Sequence, residues 1–221
     1  MKPGRFVRLA LASVLACSGA AAAPFAVPVR KAAAPEAFVP QGWTVELSID
    51  GELDGNAVAD RVLVLLENEH EGGDRNRAFV VLLKRAEGWE LAGTNGSFLP
   101  CFSCMGAKGG DGAPEIEIRN RVIGVTVWGG SRYWYGVTHR LRWNAGVHKV
   151  QLIGLDEDEG DSATGKTEES SYNFLTGDVI TVTTPPQQDN EGKATNAVPR
   201  TKRGRFPKRP LLELERVKWP E

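Results

Sequence analysis

Two continuous apolar runs, Arg61-Val62-Leu63-Val64-Leu65-Leu66 and Phe79-Val80-Val81-Leu82-Leu83, decide the fold of this 221-residue chain. Each run is short and rich in Val and Leu, which is typical of a strand rather than of a helix. A strand whose apolar residues are continuous instead of alternating is buried on both faces. We therefore predict that these runs form two central strands of a β-sheet.

Shorter apolar runs follow along the chain, and Gly, Asn or Asp residues close most of them. One run alternates strictly, with Val137, His139, Leu141 and Trp143 on a single face, as in a strand that is buried on one side. The 25 Gly and 13 Pro residues also favour a turn-rich protein. We expect an all-β fold, a small irregular β-propeller or a β-sandwich of short antiparallel strands. The predicted strands cover residues 43–49, 61–67, 78–84, 89–93, 115–118, 122–128, 137–143, 147–155 and 178–184.

The N-terminus has the pattern of a secretory signal peptide, predicted to span residues 1–23. Three basic residues precede the apolar run 9–17, and Ala21-Ala22-Ala23 offers a cleavage site. The alternative is a loose lipobox that ends at Cys17, which would give an outer-membrane lipoprotein with a lipid anchor. Either way the protein is expected in the periplasm or outside the cell. No later stretch is apolar for long enough to predict a transmembrane helix.

The mature chain is predicted to hold one domain. Residues 24–42 are rich in Ala and Pro and predict a linker. A single all-β domain is expected over residues 43–217, with a basic, Pro-rich excursion at 185–209 and a possible last strand at 210–217.

The net charge of −1 hides an uneven distribution. Residues 24–185 carry 23 acidic and 15 basic side chains, whereas residues 186–221 carry nine basic and five acidic ones. The near-neutral total gives no reason to expect nucleic acid as a partner. The basic tail could contact an acidic partner, and we favour the simpler arrangement in which it lies across the acidic body.

An acidic loop between the first two predicted strands has the spacing of a calcium site. Side-chain oxygens at Glu52, Asp54, Asn56 and Asp60, with the backbone carbonyl of Val58, follow the alternate spacing by which a tight loop surrounds calcium. The alternative is an acidic turn without metal. A second acidic run, residues 156–161, predicts a solvated loop.

The first of these loops resembles the D-x-D-x-D-G-x-x-D-x-x-V motif of FG-GAP, or integrin-like, calcium loops. Together with later motifs, the chain resembles a family of bacterial exported proteins and lipoproteins that carry one such loop. More distantly, it is similar to periplasmic immunity proteins with a propeller like that of lysozyme inhibitors. The later motifs are Leu99-Pro100-Cys101-Phe102-Ser103-Cys104, Trp128-Gly129-Gly130-Ser131-Arg132-Tyr133-Trp134, Leu152-Ile153-Gly154, Tyr172-Asn173-Phe174-Leu175-Thr176-Gly177 and Pro210-Leu211-Leu212-Glu213-Leu214-Glu215.

Cys101 and Cys104 form a C-x-x-C pair in a chain that is predicted to be exported. An oxidising compartment favours a structural disulfide. A redox role or a metal site are the alternatives, but the pair precedes a Gly-rich loop rather than a helix, and no second C-x-x-C supplies further zinc ligands.

Catalytic motifs find little support. Residues 160–167 match the P-loop pattern in full. Acidic residues precede them, and residues 168–172 lead back to a strand rather than opening a helix, so nucleotide binding is not expected. His70, His139 and His148 belong to no metalloprotease motif, and Ser131 lacks the second Gly of a nucleophile elbow. We expect a protein that is not an enzyme.

The best predicted contact surface is an aromatic loop around residues 128–135. Aromatic residues and Arg dominate the binding energy of protein interfaces, and the Gly residues favour a displayed loop. The alternative is that Trp128 and Trp134 plug the core or stack across strands, and the same surface would suit a sugar. The candidate partner-binding residues are Trp128, Ser131, Arg132, Tyr133, Trp134 and Tyr135.

The resulting expectation is an exported, non-enzymatic, calcium-binding β domain that binds another macromolecule. The resemblance implies an inhibitor or immunity protein for a peptidoglycan hydrolase. The alternatives are a glycan-binding module or an enzyme of the cell envelope.

Overall fold

The computed structural model describes residues 25–69, 73–110, 112–188 and 192–219. The predicted signal peptide, Cys17 and His70 lie outside them. Within these ranges the chain forms twelve strands, one helical turn α1 (Gly106–Gly109) and two 3₁₀ turns (Pro35–Phe38 and Leu214–Arg216). The strands are β1 (Lys31–Ala32), β2 (Trp43–Gly51), β3 (Asp60–Glu67), β4 (Arg77–Arg85), β5 (Gly88–Asn95), β6 (Glu115–Arg119), β7 (Val122–Gly130), β8 (Tyr133–Asn144), β9 (Lys149–Asp161), β10 (Lys166–Asn173), β11 (Asp178–Thr184) and β12 (Arg200–Arg205).

The strands build two antiparallel sheets that pack as a β-sandwich. One sheet has the order β1-β5-β4-β3-β2 and the other β12-β11-β10-β9-β8-β7-β6. The predicted all-β class is confirmed, and of the two expected architectures the structure has the sandwich. Each of the nine predicted strands is present, whereas β1, β10 and β12 were not expected.

The two continuous apolar runs form β3 and β4 and lie in the interior of the five-stranded sheet, as predicted. On one face, side chains such as Val62, Val64 and Phe79 pack against residues of the seven-stranded sheet. On the other face, alternate residues such as Leu63 and Val80 form a second buried cluster. Because both faces of these strands are buried, apolar residues occupy successive positions instead of alternating with polar ones.

The predicted linker at residues 24–42 is wrong, because its described part belongs to the domain. Strand β1 pairs with β5, and the Phe38 side chain is fully buried against the outer face of the five-stranded sheet. Phe25, Val27 and Val29 pack against the same cluster, and the Phe25 ring meets Trp43 edge-on at 4.8 Å. Their alternate spacing is a strand-like signal that the Ala-rich composition obscured.

The acidic run 156–161 is part of strand β9 and not the expected solvated loop. The residues that match the P-loop pattern form the hairpin between β9 and β10, in which the N–H of Gly165 donates to the carbonyl of Asp161. The motif opens no helix, so the geometry that a phosphate would need is missing there.

The basic tail also joins the sandwich. Residues 200–205 form edge strand β12 beside β11 rather than lying across the acidic body. Residues 210–217 do return to the core, but through a 3₁₀ turn instead of the last strand that the sequence suggested. Leu214 and Val217 are buried there, and the Asn95 side-chain amide donates to both of their carbonyls at 2.6 and 2.7 Å.

One buried arginine fixes the long connection between the sheets. The Arg77 guanidinium is fully buried and makes a bidentate ion pair with Glu46, at 2.7 and 2.8 Å. It also donates to the carbonyls of Cys101 and Gly112, each at 3.1 Å, and so holds the segment that contains α1.

We predict that Arg77→Ala destabilises the protein by about 3–5 kcal/mol, because it leaves Glu46 and two carbonyls without their buried partner. Arg61→Ala is the matched control, since Arg61 forms a similar bidentate pair with Asp50 at the surface. Arg61→Ala should lower the free energy of unfolding by less than about 1 kcal/mol. Urea unfolding measures both values, and equal costs would show that Arg77 has no special role.

His139 is buried on the inner face of β8, where its ring meets Phe98 at 4.9 Å and Trp219 at 5.8 Å. Its Nδ1 has no hydrogen-bond partner among the described residues. Burial lowers the pKa of His139 to about 4. Below about pH 6.5, His139 therefore binds a proton in the unfolded chain but stays neutral in the folded chain.

We predict that stability falls as the pH falls through this window, by about 2 kcal/mol between pH 7.5 and pH 5. His139→Leu should remove this loss, whereas His148→Asn, at an exposed histidine with a positive φ of 53°, should keep it. Urea unfolding at the two pH values measures the difference. A loss that persists in His139→Leu would contradict the assignment.

Candidate functional site

The seven-stranded sheet carries an uncovered inner face. Residues of its β7, β8 and β9, such as Ile123, Leu141 and Val150, pack into the core between the sheets. In contrast, no side chain of β10, β11 or β12 is buried. The sheet thus continues beyond the part that the five-stranded sheet covers.

A bulge in β9 decides which side chains lie on this uncovered face. The pairing with β8 shifts by one residue at Ile153, so Leu152 lies opposite Leu141 but Gly154 lies opposite Arg140. Beyond the bulge, Glu157 faces Val137 and Glu159 faces Tyr135 across the ladder. Directly opposite residues share a face. The two glutamates therefore lie on the same side as the core residues of β8.

Strand β10 adds to the same face. Glu168 pairs with Glu159, Ser170 with Glu157, and Tyr172 with Leu155. These residues surround a cavity of about 550 Å³, which we name the acidic groove. It is lined by Tyr135, Gly136, Val137, Glu157, Asp158, Glu159, Glu168, Ser170, Tyr172 and Trp219.

The acidic groove combines three carboxylates with three aromatic side chains. None of Glu157, Glu159 and Glu168 forms an ion pair with a basic residue of the described chain. Asp158, which alternation places on the opposite face of β9, is a further acidic residue at this point. Burial and the charges of Glu169 and Asp156 raise its pKa. The acidic groove itself therefore favours cations, while Arg200 and Lys202 lie on the same face two strands farther on, in β12.

The position of Tyr135 depends on a glycine across the ladder. Gly129 lies opposite Tyr135, and a Cβ at Gly129 would be 2.2 Å from the Tyr135 ring carbon Cζ. Only a residue without a side chain leaves room for the ring at this point. Tyr135 therefore lies across the sheet and lines the acidic groove from the side of β7.

The predicted aromatic loop is wrong as a loop, since its residues form the hairpin from β7 to β8 with a turn at Ser131 and Arg132. Trp128 and Trp134 do not plug the core; they lie on the outer face as neighbours across the two strands, with ring centroids 5.9 Å apart. Tyr133 and Tyr135 lie on the face of the acidic groove, and Tyr133 is 69% exposed.

The hairpin between β9 and β10 supports the turn between β7 and β8. Arg132 makes a bidentate ion pair with Asp161 at 2.9 and 3.0 Å, and the N–H of Ser162 donates to the Arg132 carbonyl. The hydrogen bond from Arg132 holds the pKa of Asp161 well below its usual range. The β7–β8 and β9–β10 turns are thereby joined beside Tyr133.

The acidic loop at residues 52–60 uses its oxygens for hydrogen bonds within the protein. Asp60 is fully buried, and its two oxygens accept from the N–H groups of Leu53 and Lys84, both at 2.8 Å. Burial raises the pKa of Asp60 despite these bonds. The Asn56 side-chain oxygen accepts from the N–H of Val58 at 2.7 Å, and Glu52 accepts from the N–H of Gly55.

Asp54 forms an ion pair with Arg85, so a cation already lies against this loop. Within the described ranges, no three carboxylates of the loop bring their oxygens within 4.8 Å of one another. The side-chain oxygens that calcium would need thus accept hydrogen bonds or pair with Arg85 in this structure. Calcium would have to replace Arg85 on Asp54, and the calcium site stays a prediction.

Cys101 and Cys104 form a disulfide, with Cα atoms 5.1 Å apart, in the turn before α1. The Asp74 carboxylate lies 3.0 Å from the Cys101 sulfur, and a hydrogen bond from Ser103 lowers the pKa of Asp74. In the described chain these three residues are the one group of His, Cys, Asp or Glu side chains close enough to share a metal. Sulfurs that are bonded to each other are not the thiolates that a metal requires.

The sequence did not reveal most of the acidic groove. Tyr135 was a candidate, and Glu157 and Glu159 appeared only as parts of the acidic run 156–161. Glu168, Tyr172 and Trp219 were not candidates. Strand β10 has alternating Glu, Ser and Tyr residues without an apolar face, so its hydrophobic pattern is weak. Its alternation of larger and smaller polar side chains was the available signal.

Comparisons with protein-family models, with curated proteins and with solved structures gave no match for this chain. The family resemblance thus stays a prediction. Among the residues that the structure describes, no helix has the length and apolar character needed to cross a membrane.

We predict that calcium displaces Arg85 from Asp54 and raises the melting temperature by several degrees relative to chelator, because an ion that binds the folded chain alone stabilises it. Asp54→Ala should abolish the difference, and Arg85→Gln should enlarge it by freeing Asp54. Thermal melts of the three proteins with calcium and with chelator test this. Identical melts in both conditions would show an acidic turn that binds no calcium.

Proposed function

We propose that this protein is an exported, non-enzymatic binding domain that recognises a positively charged macromolecule through the acidic groove and the adjoining hairpin tips. The observation that carries the proposal is the set of Glu157, Glu159 and Glu168, without basic partners, on a concave sheet face. Unpaired carboxylates on such a face favour a cationic partner and speed its approach.

The aromatic residues give the surface its capacity for contact. Tyr135, Tyr172 and Trp219 line the acidic groove, and Tyr133 projects beside it from the joined hairpins. Tyr and Trp supply large contact areas and dominate the energy of protein interfaces. A partner with a Lys or Arg residue inside an apolar rim would match both features.

The partner that the sequence resemblance implies is a peptidoglycan hydrolase. A hydrolase that acts on an anionic cell-wall polymer benefits from a basic surface, which the acidic groove complements. We therefore infer that the protein inhibits such an enzyme by covering its basic substrate cleft. This inference does not depend on calcium at residues 52–60.

A glycan-binding role is the second candidate, because the aromatic rings of the acidic groove could stack on sugars and its carboxylates could accept hydrogen bonds from hydroxyl groups. The two functions differ in what the protein binds when no enzyme is present. A glycan-binding module would be retained by cell-wall polymer alone, whereas an inhibitor would require the hydrolase.

We predict a one-to-one complex with a basic muramidase in titration calorimetry, with loss of muramidase activity at equal molar ratio. The double variant Glu159→Gln/Glu168→Gln should weaken the complex about tenfold or more, because it removes charges from the centre of the contact. Glu115→Gln/Glu117→Gln on β6 is the matched control, since both residues are exposed at the opposite edge of the same sheet.

The competing functions give different results in the same preparation. If the protein sediments with purified peptidoglycan and releases no fragments, it is a glycan-binding module and not an inhibitor. Release of reducing sugars would show an enzyme. Equal losses in the two double variants would exclude the acidic groove as the contact surface.

A further inference from the structure

A second cavity lies farther along the uncovered inner face, next to the acidic groove. Phe206 in its wall meets Tyr172 of the acidic groove at 6.3 Å between ring centroids. It has a volume of about 450 Å³, within the range of small-molecule sites. We name it the apolar pocket, and its walls include Leu152, Phe174, Phe206, Leu211 and Leu212. Arg209 is the one charged side chain in its lining.

Hydrogen bonds and ring contacts hold the walls in place. Phe206 follows β12, and its N–H donates to the carbonyl of Gly177 at 2.9 Å while its ring meets Phe174 edge-on at 5.9 Å. On the opposite wall, the N–H of Leu152 donates to the carbonyl of Leu212 at 2.9 Å. The apolar pocket is thus formed by backbone that is fixed on both sides.

Two basic residues stand at the apolar pocket, Arg209 in its lining and Lys208 before it in the chain. Neither residue forms an ion pair within the described chain. The nearby Asp178 pairs with Arg205, and its pKa is lowered by that hydrogen bond first and also by the charge of Lys208. The acidic residues of the adjoining segment, Glu213 and Glu215, pair with Lys149 instead, at 3.4 and 3.7 Å.

An apolar side chain is also displayed at the mouth. Leu212, which lines the apolar pocket, is 43% exposed. Apolar surface beside unpaired cations is the combination that binds a molecule with an apolar part and an anionic part. Cations alone would suit any polyanion, and the apolar walls alone would suit a neutral ligand.

We propose that the apolar pocket binds one acyl chain of an anionic lipid, with the phosphate headgroup against Arg209 and Lys208. The chain removes the walls of the apolar pocket from water, and the headgroup supplies the negative charge that pairs with the two basic residues. This site shares no lining residue with the acidic groove.

Titration calorimetry with monomeric dodecyl phosphate tests the proposal. Inorganic phosphate supplies the headgroup alone, and dodecyl maltoside supplies the chain with a neutral head. Dodecyl phosphate should bind about tenfold more tightly than either, since it engages both parts of the site. Comparable binding of inorganic phosphate would overturn the acyl-chain assignment.

Variants locate the site. Arg209→Gln should weaken binding of dodecyl phosphate about fivefold, and Leu211→Trp should abolish it by filling the apolar pocket. Arg142→Gln is the matched control, because Arg142 is an exposed cation on the outer face of β8 and should have no effect. Equal effects of Arg209→Gln and Arg142→Gln would show charge attraction without a site, and no heat of binding would also overturn the proposal. Since Arg209 is exposed, its variant decides the matter even if Leu211→Trp fails to fold.

Discussion

Burial of β3 and β4 on both faces is the constraint on which the rest of the structure depends. Their continuous apolar runs require two covers, which the seven-stranded sheet and the segment around Phe38 provide. The five-stranded sheet covers only part of the seven-stranded sheet, since β10, β11 and β12 contribute no buried side chain. The uncovered face, with its acidic groove and apolar pocket, follows from this mismatch.

The total charge of the chain conceals a separation that the fold makes useful. Acidic residues on β9 and β10 line the acidic groove, while Arg209, which follows β12, lines the apolar pocket. Like charges along β12 also discourage its unpaired edge from joining the same strand of another copy. One sheet face therefore presents two surfaces of opposite charge, suited to different partners.

The sequence predicted strands well where burial dictates hydrophobic residues and poorly where it does not. The central runs and the alternating strand β8 were recognised, whereas the polar β10 and the basic β12 were missed because water covers much of their surface. The acidic groove could not be predicted for a further reason. Strict alternation from Leu152 would place Asp156 and Asp158 on the inner face, and the bulge at Ile153 places Glu157 and Glu159 there instead.

The central claim is that the uncovered inner face of the seven-stranded sheet is the contact surface for a basic macromolecule. Amide hydrogen exchange, measured on the protein alone and saturated with a basic muramidase, tests this most directly. The proposed surface predicts added protection confined to residues 131–137 and 157–172. Protection that falls instead on the acidic loop at residues 52–60 or on β6, with none in those two segments, would contradict it.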